Sequence, residues 1–298
     1  MAQKNPLQRQ SKSCNLQRPL GVTTQKKRGE KPKLERKAKM ALLNTAAGNT
    51  KILKSQKGTD FRIASLSLYP DDKICPAAIL AGCKAPCLVS AGRGAMGTVA
   101  QGRKNKTAFW HRDKDLFLET LEKEMRNFIK LCNKQGKRAA FRLNTISDIP
   151  WERYGLPDLF PEALLYDYTK SAARLGKTPE NYRLMFSYSQ ETKYQKQVAR
   201  ALETDCPIAV VFRGFVPEGS YFMGREIIDG DKSDLINLEK GQGKIIGLKL
   251  KGGKATQQSQ SRFIVEPWQA TNCPAQMQND CNPHDLATAG RGFAVAAE

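Results

Sequence analysis

The chain has 298 residues, 40 % of them apolar, a formal charge of +20 and a pI near 9.7. That length fits one large domain or two small ones, and the charge selects a polyanionic partner, nucleic acid before an anionic membrane surface. No apolar run nears the roughly 18 to 20 residues that span a bilayer, and the basic N-terminus lacks the apolar stretch of a secretory signal, so the expectation is a cytoplasmic protein with no membrane partner.

Residues 1–58 read as a disordered basic tail. The first forty residues carry only Glu30 and Glu35 as acids and cannot bury enough apolar surface to fold alone. Lys26, Lys27, Arg28, Arg36 and Lys37 form the densest clusters, the pattern of a phosphate-binding arm whose grip depends on salt.

The folded domain is expected over 59–298. It opens on an alternating run, Phe61, Ile63, Leu66, Leu68, that predicts a strand, broken by Tyr69-Pro70-Asp71-Asp72. A loop then carries Cys75, Cys83 and Cys87, spaced C-x7-C-x3-C, and ends in Ala91-Gly92-Arg93-Gly94. In a reducing compartment, clustered thiols point to metal or redox chemistry rather than to disulfides. The spacing fits neither the common zinc pairs nor the ferredoxin runs, so both zinc and an iron–sulfur cluster stay open.

A basic patch follows, with Arg103, Lys104, Lys106 and Arg112 interleaved with Phe109, Trp110 and His111. It either stacks bases while its cations hold phosphates, or it seats the next helix in the core. That helix is predicted over Lys114 to Lys134, with Phe117, Leu121, Met125, Phe128 and Cys132 as its buried stripe and Gly136 closing it. The stripe makes Cys132 a core residue.

Residues 139–144 predict a strand, after which Thr145 to Glu152 gather polar groups where an α/β sheet or barrel puts its active face. Arg142, Asn144, Ser147, Asp148 and Glu152 are the candidates, Asn144 and Asp148 for binding a cofactor or substrate hydroxyl and Asp148 also as a base, against a loop in which Ser147 or Asp148 caps a turn or helix. Pro161 to Arg174 reads as a helix bringing Lys170 near its end. Strands are expected at Tyr182 to Ser187, Pro207 to Phe212 and Lys244 to Leu250, and a helix from Thr192 to Leu202. Ser187 lies at a strand end and joins the candidate catalytic set. Asp229, Asp231 and Asp234 resemble part of a calcium loop but lack its later glutamate and flanking helices, which makes a polar turn the reading. The whole predicts an α/β fold: a parallel sheet or partial (β/α) barrel.

The C-terminal residues repeat the cysteine loop. Cys273-Pro274-Ala275, Cys281, Leu286 and Ala289-Gly290-Arg291-Gly292 align without a gap to Cys75-Pro76-Ala77, Cys83, Leu88 and Ala91-Gly92-Arg93-Gly94. Asp285 stands opposite Cys87, beside His284. Cys273, Cys281 and His284 or Asp285 are therefore candidate ligands of a second metal site or of one shared with the first loop.

These stretches together resemble the gene product 88 domain family of bacteriophages and prophages. The resemblance is carried by the cysteine loop with its Ala-Gly-Arg-Gly end, Arg142-Leu143-Asn144 followed by Ser147 to Glu152, Asp167-Tyr168-Thr169-Lys170, Phe186-Ser187-Tyr188-Ser189, and Asp229-Gly230-Asp231 followed by Gly247-Leu248. It covers about residues 60 to 290 and implies a phage protein working in a bacterial cytoplasm, with no assigned reaction. More loosely, a strand, a cysteine loop and then βα repeats is similar to the layout of radical S-adenosylmethionine enzymes, whose usual C-x3-C-x2-C spacing this chain lacks. Neither a P-loop, a dinucleotide fingerprint nor a Ser-His-Asp arrangement is present, and two histidines argue against zinc-histidine hydrolysis. The expectation is a cysteine-ligated metal or iron–sulfur enzyme acting on nucleic acid or a nucleotide, or a nucleic-acid-binding protein with structural zinc.

Overall fold

In a computed structural model, residues 40–45 and 50–272 are described. In chain order the elements are β1 (Leu43–Thr45), α1 (Thr50–Gln56), β2 (Phe61–Leu66), α2 (Gly97–Arg112), α3 (Lys114–Lys134), β3 (Arg138–Arg142), α4 (Leu156–Leu159), β4 (Leu164–Thr169) and β5 (Tyr182–Ser187). They continue with α5 (Gln195–Leu202), β6 (Ile208–Phe212), β7 (Tyr221–Phe222), β8 (Arg225–Asp229), α6 (Asp234–Lys240), β9 (Ile245–Lys249), α7 (Lys254–Gln257) and β10 (Ile264–Val265). Both β1 and α1 fall in the stretch that composition assigns to the basic tail. Lys106 and Glu124 hold β1 in place: the Lys106 ammonium donates to the Leu42 carbonyl at 2.7 Å, and the Glu124 carboxylate accepts from the Leu42 and Leu43 backbone.

The ten strands form one mostly parallel sheet in the order β1-β2-β3-β4-β5-β6-β9-β8-β7, with β10 also on β6. From β2 to β6 each strand lies parallel to the next in sequence, so successive crossovers step in one direction, as in a (β/α) barrel wall. The antiparallel β1 and β7 occupy the two edges. β5 pairs with β6 at Ile208 and Ala209, whereas β10 pairs at Val211 and Phe212. Since β9 holds the other side of β6 throughout, β5 and β6 part toward their carboxyl ends and β10 enters the gap.

Both faces are covered, which is why β6 reads as a continuous apolar run. On one face α3 lays Phe117, Leu121, Met125, Phe128 and Cys132 against Phe141, Leu143 and Leu165. On the other, Ile52 of α1 and Leu235 and Leu238 of α6 cover Ile63, Ala140, Tyr166, Met185 and Ile246. The predicted bounds of α3 hold. Asp113 caps its start by accepting from Leu116 N–H at 3.0 Å, and Gly136, at φ 61°, lets the Lys137 N–H return to the Cys132 carbonyl. Phe109 and Trp110 belong to the core, each with its ring 5.3 Å from that of Phe117.

One predicted element changes type. Pro161 to Arg174 is not a helix: Leu164–Thr169 is the strand β4, paired with β5 from Leu165↔Tyr182 to Thr169↔Phe186. Its alternation is Leu165, Asp167, Thr169 against Tyr166, Tyr168; both sets are largely buried and the polar Asp167 and Thr169 lie inside, so no apolar-in, polar-out period marks the strand.

Candidate functional site

The carboxyl ends of β2 to β6 all meet one edge, and each runs into a polar or thiol-bearing segment. After β2, Asp71 organises the cysteine loop: its carboxylate accepts from the Lys73 and Ile74 N–H groups, and its carbonyl from the Cys75 N–H. Tight turns follow, Ala78 N–H to the Cys75 carbonyl and Cys83 N–H to the Ala78 carbonyl, with the Cys83 thiol donating to that same carbonyl at 3.6 Å. They turn Cys75 and Cys83 inward, both buried, and leave Ile79 and Leu80 outside. Cys87, half-buried, opens the short turn Leu88–Ser90.

Lys170, the first residue beyond β4, brings its ammonium into electrostatic reach of Cys83, Cys75, Asp148 and Cys87. Burial alone would discharge it, but these neighbours push its pKa up, so the ammonium stays charged. Burial pushes the Cys75 thiol up to about 11 and raises Cys83 as well, with the Lys170 charge opposing both shifts. Among the described residues, no group of three or more His, Cys, Asp or Glu stands at metal-holding distance. A lysine, not a fourth ligand, occupies the company of the three thiols.

Beneath this lies a hydrogen-bonded base. Arg174 makes a bidentate pair with Glu152 at 2.8 and 2.9 Å, reaches Asp148 at 2.8 Å and Thr169 at 3.2 Å, and donates to the Tyr182 hydroxyl at 3.1 Å. Asp148, with its side chain 4 % exposed, spends its second oxygen on the Lys170 N–H at 2.8 Å. Asp167 accepts from the Asn144 backbone, the Asn144 amide and the Tyr182 hydroxyl; burial outweighs these donors and lifts its carboxyl to about 7. Asn144 accepts from Ser147 and from Ile149 N–H, and donates to the Ile149 carbonyl as well as to Asp167. It therefore shapes the loop and has no polar group left to offer a ligand. Ser187 is buried at the end of β5, where its carbonyl and that of Lys170 both lie 2.9 Å from the Tyr194 hydroxyl.

The family model described as gene product 88 matches residues 34–267. The chain belongs to the gene product 88 family. No curated protein and no solved structure matches it.

The gene product 88 match takes in the thiol loop, Lys170 and the Arg174 base, and ends before Cys273. Of the residues expected from sequence, Cys75, Cys83, Cys87, Asp148 and Lys170 come together. Cys273, Cys281, His284 and Asp285 lie outside the described residues, as do Lys26, Lys27, Arg28, Arg36 and Lys37. His111 pairs with Asp71 at 2.6 Å, away from the thiols' lysine. Lys104 is exposed and sits over the Tyr69 ring at 5.1 Å, and Arg103 is half-buried. Asp229 ends β8 and Asp234 opens α6, where it pairs with Arg142, so of the three only Asp231 sits in the turn between, accepting from the Lys249 N–H and pairing with the Lys251 ammonium.

Arg174, Asp167 and Tyr182 were not singled out for the site from sequence, whereas Glu152 stood among the candidates of the polar stretch after β3. The one local signal was an arginine in an otherwise apolar Ala172-Ala173-Arg174-Leu175 stretch. Among the described residues, no helix is long and apolar enough to cross a membrane.

Proposed function

We propose that Cys75, Cys83 and Cys87, which do not stand at metal-holding distance in this structure, draw together on a soft metal centre, an iron–sulfur cluster before zinc, and that the neighbouring strand ends make this edge an active site. The observation that carries this reading is the charged Lys170 ammonium set among three thiols at the carboxyl edge of the parallel sheet. The positive charge opposes the burial that keeps Cys75 and Cys83 protonated, and so eases formation of the thiolates that bind metal. Three protein thiolates on a cluster or a zinc ion leave one position for a substrate. Asp148 and the Arg174 base hold Lys170 in place, and Ser187 is the hydroxyl at the next strand end. The charge of +20 favours a nucleotide or nucleic acid as the substrate class.

Anaerobic purification tests it, with metal analysis and absorption spectra of the wild-type chain and of Cys83→Ala. Iron with sulfide, lost in the variant, supports a cluster enzyme. Colourless zinc, kept by wild type and lost by the variant, supports a structural site. Absence of either metal from anaerobically prepared protein sinks the metal reading.

A second reading rests on the charge alone: a nucleic-acid-binding protein whose basic clusters at Lys26–Arg28 and Arg36–Lys37 grip phosphate. Removing residues 1–39 would then weaken binding to any duplex and flatten its dependence on salt. Binding unchanged by that truncation discards the arm.

A further inference from the structure

The cysteine loop closes against α2 through a contact that leaves a cation without a partner. The Arg103 guanidinium lies where a side chain on Gly94 would begin: a Cβ there would stand 3.0 Å from Arg103 Nη1 and 3.3 Å from the Leu88 carbonyl. The guanidinium is thus packed closely on the turn that starts at Cys87, and a Cβ on Gly94 would oblige it to shift by a few tenths of an ångström. Arg103 Nη1 is buried, and it has no hydrogen-bond partner among the described residues. A buried guanidinium donor left unsatisfied is unfavourable, and an incoming acceptor would satisfy it.

No carboxylate answers it. Cys87 is the neighbour that favours its charge, and Cys87 is also among the neighbours of the Lys170 ammonium. Lys106, a third cation nearby, already donates to the Leu42 carbonyl. Asp148, the carboxylate of this edge, is committed to Arg174 and to the Lys170 N–H. Arg103 thus stands beside a half-buried thiol with no carboxylate among the groups that favour its charge.

We infer that Arg103, packed on the Gly94 turn beside Cys87, forms an oxyanion subsite that takes the phosphate or carboxylate group of an anionic ligand. The inference rests on the reading of this edge as the working site, and not on which metal it holds.

The test uses the full-length, chelator-treated chain and reads alkylation of Cys87 by peptide mass spectrometry. Anionic iodoacetate is compared with neutral iodoacetamide, alone and with inorganic phosphate or acetate as protectant. The iodoacetate-to-iodoacetamide rate ratio is expected to fall at least about threefold in Arg103→Met at low salt and to be kept in Arg103→Lys, since only local charge separates the two reagents. Protection by phosphate in the wild type but not in Arg103→Met assigns a phosphate ligand; protection by acetate instead assigns a carboxylate. A ratio unchanged in Arg103→Met, or a lowered ratio with neither anion protecting, overturns the subsite. Metal content is measured separately, so failure of the metal reading is distinguishable from failure of this one.

Discussion

The carboxylate of Asp167 on β4 accepts the backbone N–H of Asn144 at 2.6 Å and its side-chain amide at 3.1 Å, so the turn after β3 is held by the neighbouring strand. Asn144 in turn holds Ser147 and Ile149, which places Asp148 beneath Lys170. Position in the loop after β3 is thereby set from β4.

Asp167 gives this arrangement a pH dependence. Its folded-state carboxyl titrates near 7, against about 4 in an unfolded chain. A raised carboxyl contributes stability fully present below pH 4 and lost as pH rises through 7, the reverse of an ion-paired aspartate. Denaturant midpoints of wild type and Asp167→Asn, followed over that range, should converge as pH rises, with the wild type losing ground. Parallel profiles would remove Asp167 as the cause.

Arg174→Met leaves Asp148 and Glu152 without their guanidinium while both remain largely buried. Breaking one side of such a pair costs about 3 to 5 kcal/mol. Equilibrium denaturation should register that loss, and a change within 1 kcal/mol would mean that water reaches the carboxylates.

Lys170→Met removes the charge that opposes burial at Cys75 and Cys83. In metal-free protein both thiols should ionise at still higher pH, read from thiolate absorbance during titration. A shift to lower pH would place Lys170 away from them.

Gly82 precedes Cys83 at φ 65°, and a Cβ on it would stand 2.6 Å from the Glu191 carboxylate. Gly82→Ala should cost about 1 to 2 kcal/mol from the left-handed backbone alone and lower the thermal midpoint by several degrees. The loop's purchase on Glu191 makes a neutral result incompatible with this backbone.

The strand at Phe61, the long amphipathic helix α3 and the continuous apolar strand β6 were legible in the sequence because each announces itself within its own residues. The thiol loop was legible for the same reason: three cysteines crowd one short segment. What the sequence by itself determined about this protein is thus its α/β class, its family and the location of its thiols. Tertiary structure decided that residues 164–169 are a strand, because two buried faces erase the alternation that would reveal it. It also decided which groups meet. Lys170 joins the thiols, Arg174 joins Glu152 and Asp148, and Arg103 backs onto Gly94 through the register of parallel strands and the packing of α2. Those encounters link residues far apart along the chain, and no local pattern encodes them.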